Sequence, residues 1–108
     1  MIRTARVVGI AFGLLALPLV AGAQQNSGAT LFQSRGCVAC HGTDGSTSLL
    51  PTYPKLRGNN EQYLLNQMKD IKSGARANGN SAAMKGVMHL VSDAEIDAIA
   101  DYVSKLKP

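Results

Sequence analysis

Tryptophan is absent from this 108-residue chain, aromatic residues make up only 5%, and there are two cysteines and two histidines. So few cysteines exclude a disulfide-stapled scaffold. No run alternates apolar and polar residues in the manner of a strand, and no segment repeats, so barrels, sandwiches and solenoids have no support. A membrane-spanning stretch is lacking too: the apolar run from Val7 to Val20 is about 14 residues, short of the roughly 20 a spanning helix needs. Arg3 and Arg6 flank that run on one side and Ala21-Gly22-Ala23 on the other. This is the pattern of a secretory signal over 1–23, cleaved after Ala23, rather than a retained anchor.

Charge is equally uninformative about polyanions. Arg3 and Arg6 account for two of the 11 basic residues, so 24–108 carries nine against seven acids, a net +2. Nucleic-acid binding is not supported. Residues 24–108 form one small domain with too little apolar material for a generous core, so something other than side chains is expected at its centre.

What the chain does have is Cys37-Val38-Ala39-Cys40-His41. Two cysteines three apart and a following histidine are the attachment signature of c-type haem. One short loop must offer two thiols to one edge of the porphyrin, and the next residue then turns its imidazole beneath the ring. Cys37 and Cys40 are thus candidates for thioethers and His41 for the proximal iron ligand. A thioredoxin-like pair would be expected with a βαβ pattern, which is missing. Zinc is disfavoured because adjacent Cys40 and His41 cannot readily share a tetrahedral ion. A plain disulfide leaves His41 unexplained. A covalent haem would also supply the missing centre, and it agrees with export, since attachment is extracytoplasmic. The apoprotein is then expected to fold poorly.

Helical signals surround this motif. Gly28 to Arg35 reads as a short helix ended by Gly36, followed by the attachment loop. Gly42 to Pro54 is loop by composition. Asn59 or Asn60 can cap a helix to about Lys72, with Tyr63, Leu64, Gln67, Met68 and Ile71 at helical spacing and Met68 read as core. From Gly74 to Val91 periodicity is lost, and a loop is expected. Ser92 to Glu95 is a capping box, and Ile96, Ile99, Val103 and Leu106 make the apolar stripe of a last helix. Asp93, Glu95, Asp97 and Asp101 read as its solvated face. Met84, Met88 and His89 are the late side chains that could fill the second axial position on iron. A thioether there would raise the reduction potential relative to a second imidazole.

The chain resembles class I cytochromes c, particularly the short bacterial single-haem type and the halves of two-haem bacterial cytochromes. The likeness runs over most of 28–107: Gly28 and Phe32 before Cys-Val-Ala-Cys-His-Gly, then Pro51-Thr-Tyr-Pro54-Lys-Leu56-Arg-Gly58, Tyr63-Leu64, Gly74-Ala-Arg76, Met84, Val91-Ser92-Asp93 and Ile99-Ala-Asp-Tyr102. It implies an all-α fold around one haem c, with His41 and Met84 as axial ligands and Met88 as packing in the haem pocket. His89 is read as a partly exposed loop residue. It also implies that the Pro51 carbonyl accepts a hydrogen bond from the proximal imidazole, that Gly28, Phe32 and Tyr102 mark a helix crossing, and that Arg76 neutralises a haem propionate. Five steps rather than four separate Phe32 from Cys37, with Gly36 absorbing the extra one. The expected role is a periplasmic, monomeric one-electron carrier between redox proteins such as a respiratory-chain donor and a terminal oxidase or reductase, not an enzyme. Charge placement leaves two readings of Lys55, Arg57, Lys69, Lys72, Arg76 and Lys85: a basic docking surface for acidic redox partners if they surround the haem edge, or scattered surface charge. The alternatives are an enzyme or sensor with an open sixth position, and a haem subunit of a larger complex.

Overall fold

The computed structural model describes residues 27–108, together with the isolated Gly9 and Gly13. The expected signal segment and its cleavage point after Ala23 lie outside the described residues. Five helices follow one another: α1 (Gly28–Ser34), α2 (Cys37–His41), α3 (Glu61–Ser73), α4 (Ser81–Met88) and α5 (Asp93–Ser104), with no strand among the described residues. This is the expected all-α chain, with one helix more in its second half than the periodicity predicts.

Three of the helices begin where a side chain satisfies a free amide, whereas Gly36 before α2 and Asn80 before α4 make no such side-chain bond. Ser27 caps α1 by accepting from the Thr30 amide. Asn60, rather than Asn59, caps α3 by accepting from the Tyr63 amide. At α5 the capping box forms in full: Ser92 accepts from the Glu95 amide, and the Glu95 carboxylate accepts from the Ser92 amide. Gly74 ends α3 in the left-handed conformation.

The core is built from α1, α3, α5 and the end of α4. Leu31, Phe32, Leu64, Ile71, Met88, Val91, Ile96, Ile99, Ala100 and Val103 are its buried apolar residues. Ile96, Ile99 and Val103 are the expected stripe of α5, while Leu106 is half-buried beyond the helix end. α1 crosses α5 at Gly28. A Cβ at that position would lie 2.2 Å from the Ala98 carbonyl oxygen and 2.6 Å from Cβ of Tyr102, so hydrogen is the only substituent that fits. One turn on, the Phe32 and Tyr102 rings meet with centroids 6.0 Å apart and planes tilted by 56°, a favourable aromatic geometry. The helix crossing implied by Gly28, Phe32 and Tyr102 is therefore present.

Glu95 departs from the solvated face assigned to it. Arg35, the C-cap residue of α1, places its guanidinium 2.6 Å from the Glu95 carboxylate, whose side chain is only 16% exposed. One carboxylate thus closes the α5 cap and clasps α1. Lys72 is committed in a similar way: its ammonium donates to the Val91 carbonyl at 2.6 Å and lies 3.5 Å from Asp93, tying the end of α3 to the α4–α5 junction.

The expected loop 74–91 is corrected by α4. Ala82, Ala83, Met84 and Lys85 are good helix formers, and Met84, Val87, Met88 and Val91 fall at i, i+3, i+4 and i+7. Gly79 before the helix and Gly86 within it obscure that stripe. The attachment segment, expected as loop, is a single helical turn. α1 stops at Ser34, and Gly36, at φ +80°, starts α2 as its N-cap.

Candidate functional site

α2 exists because two glycines allow the chain to turn sharply on either side of it. Gly36 enters with positive φ, and Gly42 leaves with φ +81°. At Gly42 a Cβ would lie 2.3 Å from the Thr47 carbonyl oxygen, so both conformation and space call for glycine. The turn presents Cys37, Cys40 and His41 to one cavity of about 610 Å³, within the usual range for ligand sites. Met84 reaches the same cavity from α4. All four predicted site residues therefore line a single space.

Its apolar walls come from α1 (Phe32), α3 (Leu64, Met68), α4 (Val87, Met88), α5 (Ile99, Val103) and Val91. Met68, read as core, packs against the core and lines the cavity as well. Met88 is 2% exposed and fixed in the core, whereas Met84 is only half-buried. His89 is exposed and is not among the lining residues. Tyr63, expected on the buried stripe of α3, is instead 54% exposed while still lining the cavity.

His41 is buried, and its Nδ1 lies 3.0 Å from the carbonyl oxygen of Pro54. A carbonyl can only accept, so Nδ1 carries the proton and Nε2 keeps its lone pair, the state a metal-binding imidazole needs. Burial lowers the His41 pKa and the bond to Pro54 opposes it; the ring is neutral at ordinary pH. The partner is Pro54, not Pro51. Tyr53 donates its amide to the Leu50 carbonyl and closes a turn around Pro51, which leaves Pro51 exposed and outside the cavity wall. Three residues of loop separate the expectation from the fact, and either proline satisfied the composition.

Cys37 and Cys40 are half-buried and form no disulfide. Burial, reinforced by Cys40 nearby, pushes the Cys37 thiol up to about 11, so it is a protonated thiol rather than a thiolate. That setting does not match the depressed pKa of a thioredoxin-like nucleophile. Among the described residues no cluster of three or more His, Cys, Asp or Glu could hold a metal ion.

A polar arc completes the wall. Arg76 lines the cavity and donates to the Gln67 side chain at 2.9 Å. Asn80 donates to the Thr52 hydroxyl at 2.9 Å, joining the start of α4 to the loop before Pro54. Asn78, Asn80 and Ser81 line the site without having been singled out from the sequence, and Gln67, Thr52 and Tyr53 line it too, having been read only as part of a helix stripe or of a family match. Asn80, just ahead of an Ala-rich helix, carried a capping signal that could have found it. The donor set suits a large, planar, mostly apolar group with anionic substituents: a hydrophobic slot, two thiols, a neutral imidazole, a thioether, and a guanidinium at the polar side.

An all-helical domain with that slot is a haem-protein architecture, and comparison with known proteins makes it specific. The cytochrome c family profile matches residues 25–107. Cytochrome c-554(548) of Halomonas halodenitrificans is 46% identical over 68 residues, covering 63% of this chain and 81% of that protein. Cytochrome c-553 of Nitratidesulfovibrio vulgaris is 34% identical, covering 81% and 83% respectively. A protein named thiosulfate dehydrogenase electron acceptor, from Thiomonas intermedia, is 42% identical over 76 residues, 70% of this chain but 34% of its own length. The crystal structure of reduced cytochrome c4 from Pseudomonas stutzeri superposes with a TM-score of 0.66 at 31% identity, covering 80% of this chain and 50% of that one. The chain thus spans about a third to a half of several longer relatives.

The chain belongs to the cytochrome c family, with the fold of the bacterial class I members. It is an electron-transfer haem protein, and the family's haem c is covalently bound.

Proposed function

We propose that the protein is a periplasmic carrier of single electrons, holding one haem c through thioethers at Cys37 and Cys40 and through His41 and Met84 as axial ligands of its iron. Residues 1–23 act as the export signal and 24–108 as the functional domain. The observation that carries the reading is the convergence of these four residues, from α2 and α4, on one largely apolar cavity. No helix among the described residues is long and apolar enough to cross a membrane.

Haem, when bound, supplies a one-electron iron couple. The chain's own contribution is ligation, burial and docking. His41 offers Nε2 because the Pro54 carbonyl holds the proton on Nδ1. Met84 is favoured over Met88 because Met88 already serves the core at 2% exposure. A thioether favours the ferrous state and shields iron from small oxidants. Arg76 stands ready to neutralise a propionate, while the apolar walls exclude water. Electrons pass to and from partner proteins such as a respiratory-chain donor and a terminal oxidase or reductase, with the protein acting as a monomer.

The far-red absorption of the oxidised holoprotein tests this reading. A weak sulfur-to-iron charge-transfer band is expected; it should vanish in Met84→Ala and survive in Met88→Ala. A holoprotein lacking the band has an open or nitrogen-filled sixth position, which would bring forward an enzyme or sensor role. The Thiomonas relative's name, an electron acceptor for a dehydrogenase, supports a second reading of the partner: a dehydrogenase that delivers electrons here. Stable copurification with such an enzyme would distinguish a bound haem subunit from a free shuttle.

A further inference from the structure

The residues after α5 are bound back onto the rest of the domain. The Arg57 side chain donates through Nε to the Lys107 carbonyl. Beside it, the Gly58 amide donates to the Val103 carbonyl at 3.1 Å. The tail lies directly on Gly58, where an added Cβ would stand 2.8 Å from Pro108 Cγ and 3.1 Å from the Leu106 carbonyl oxygen. On its other side the same segment is fixed to the turn after α2: the Gly45 carbonyl accepts from the amides of Leu56 at 2.8 Å and Arg57 at 3.1 Å. Asn59 closes it locally by donating to the carbonyls of Lys55 at 2.9 Å and Leu56 at 3.0 Å.

The stretch held in this way begins one residue after Pro54, whose carbonyl meets His41. Pro54 is itself exposed, so it has no buried side chain to fix its carbonyl. The Ser48 hydroxyl reaches that carbonyl only at 3.5 Å, so its position is set chiefly by the bonds on either side: the Tyr53–Leu50 turn before it and the 55–59 clamp after it. Resting on the reading of His41 as the proximal ligand, we infer that Arg57 and the segment 105–108 that follows α5 are a positioning device for that ligand. By anchoring the loop to the tail, Arg57 keeps the Pro54 carbonyl on Nδ1 of His41. A hydrogen bond at Nδ1 raises the electron donation of a ligating imidazole, so the clamp holds the reduction potential down.

Two holoprotein variants test this: Arg57→Leu, and a chain ending at Leu106, which removes Lys107 and its acceptor carbonyl. Arg57 is half-buried but outside the cavity, and neither change touches the cavity wall. The direct readout is solvent exchange of the His41 Nδ1 proton, followed by NMR in the reduced state beside global stability to denaturant. Losing one hydrogen bond should speed that exchange about three- to tenfold. The reduction potential at high salt should rise in both variants. Each removes one positive charge, and that alone would lower the potential, so a rise reports the loosened ligand bond rather than charge. Unchanged Nδ1 exchange in both variants, even with lowered stability, would overturn the inference and leave the tail as packing only. Should the His41 ring protons lack the large shifts of an imidazole bound beneath haem, it is the ligand assignment that fails. The exchange comparison would still decide whether the clamp governs the bond to Pro54.

Discussion

Single residues in this protein are constrained by what lies within a few ångströms of them, and Gly28 is the strictest case. With the Ala98 carbonyl oxygen 2.2 Å from the position of a Cβ, Gly28→Ala must push α1 off α5. The cost should be that of an overpacked core site, about 1–3 kcal/mol, read as a fall in the denaturant midpoint of the holoprotein. Phe32→Ala instead empties a fully buried site and should cost about 3–5 kcal/mol. Both positions were legible in the sequence, because a glycine and an aromatic four residues apart ahead of the haem motif is a family pattern. Pro54 was not. Which of two prolines in a flexible-looking loop offers its carbonyl depends on the turn closed by the Tyr53 amide, and that is a tertiary outcome. Glu95 was half legible: its place in a capping box could be read, but its ion pair with a residue 60 positions earlier could not.

At the scale of elements, the α5 cap and the α1 clasp share one carboxylate, so they should fail together. Hydrogen bonds from the Ser92 amide and then from Arg35 hold the Glu95 carboxyl below the usual range for a glutamate. A depressed native pKa contributes stability that is fully present above the unfolded value, about 4.3, and that is lost as pH falls through the native one. Glu95→Gln should therefore flatten the acid limb of a stability–pH curve below about pH 5, while Ser92→Ala should cost about 1 kcal/mol across the whole range. Asp44, held down to about 2 by the amides of Thr47 and Ser46, should leave a residual acid transition in the Glu95 variant. The two longest helices, α3 and α5, were readable from their caps and stripes. α4 was not, since its glycines and short length hid an apolar face that shows itself only against the cavity.

For the whole molecule, the cavity is the centre of the domain rather than a dent in it. Its walls draw on α1, α3, α4 and α5, and without a filling group they would face either water or one another. Apoprotein made by Cys37→Ala/Cys40→Ala substitution should show a strongly reduced far-ultraviolet helical signal and no cooperative thermal transition; a cooperative, fully helical apoprotein would contradict this. The charge distribution adds a second expectation. Of the basic group, Lys55 and Arg76 line the cavity, while Lys72 is spent on Val91 and Asp93. Steering of an acidic partner should therefore be modest, with the electron-transfer rate falling as ionic strength rises. A rate independent of salt would assign docking to apolar contact, for which the exposed Leu49, whose backbone N–H donates a hydrogen bond to the Cys40 carbonyl, is available.

The crossing at Gly28 also sets an order of events in time. α1 stands just before the two thiols in sequence, yet its packing partner is the last helix of the domain. A chain that emerges from its N-terminus exposes Cys37 and Cys40 well before Ala98 and Tyr102 exist to close over α1. Long-range contacts of this kind form late. The topology thus leaves an interval in which the unpaired thiols stand on an open, unfinished surface, and the final helix closes the domain after that interval.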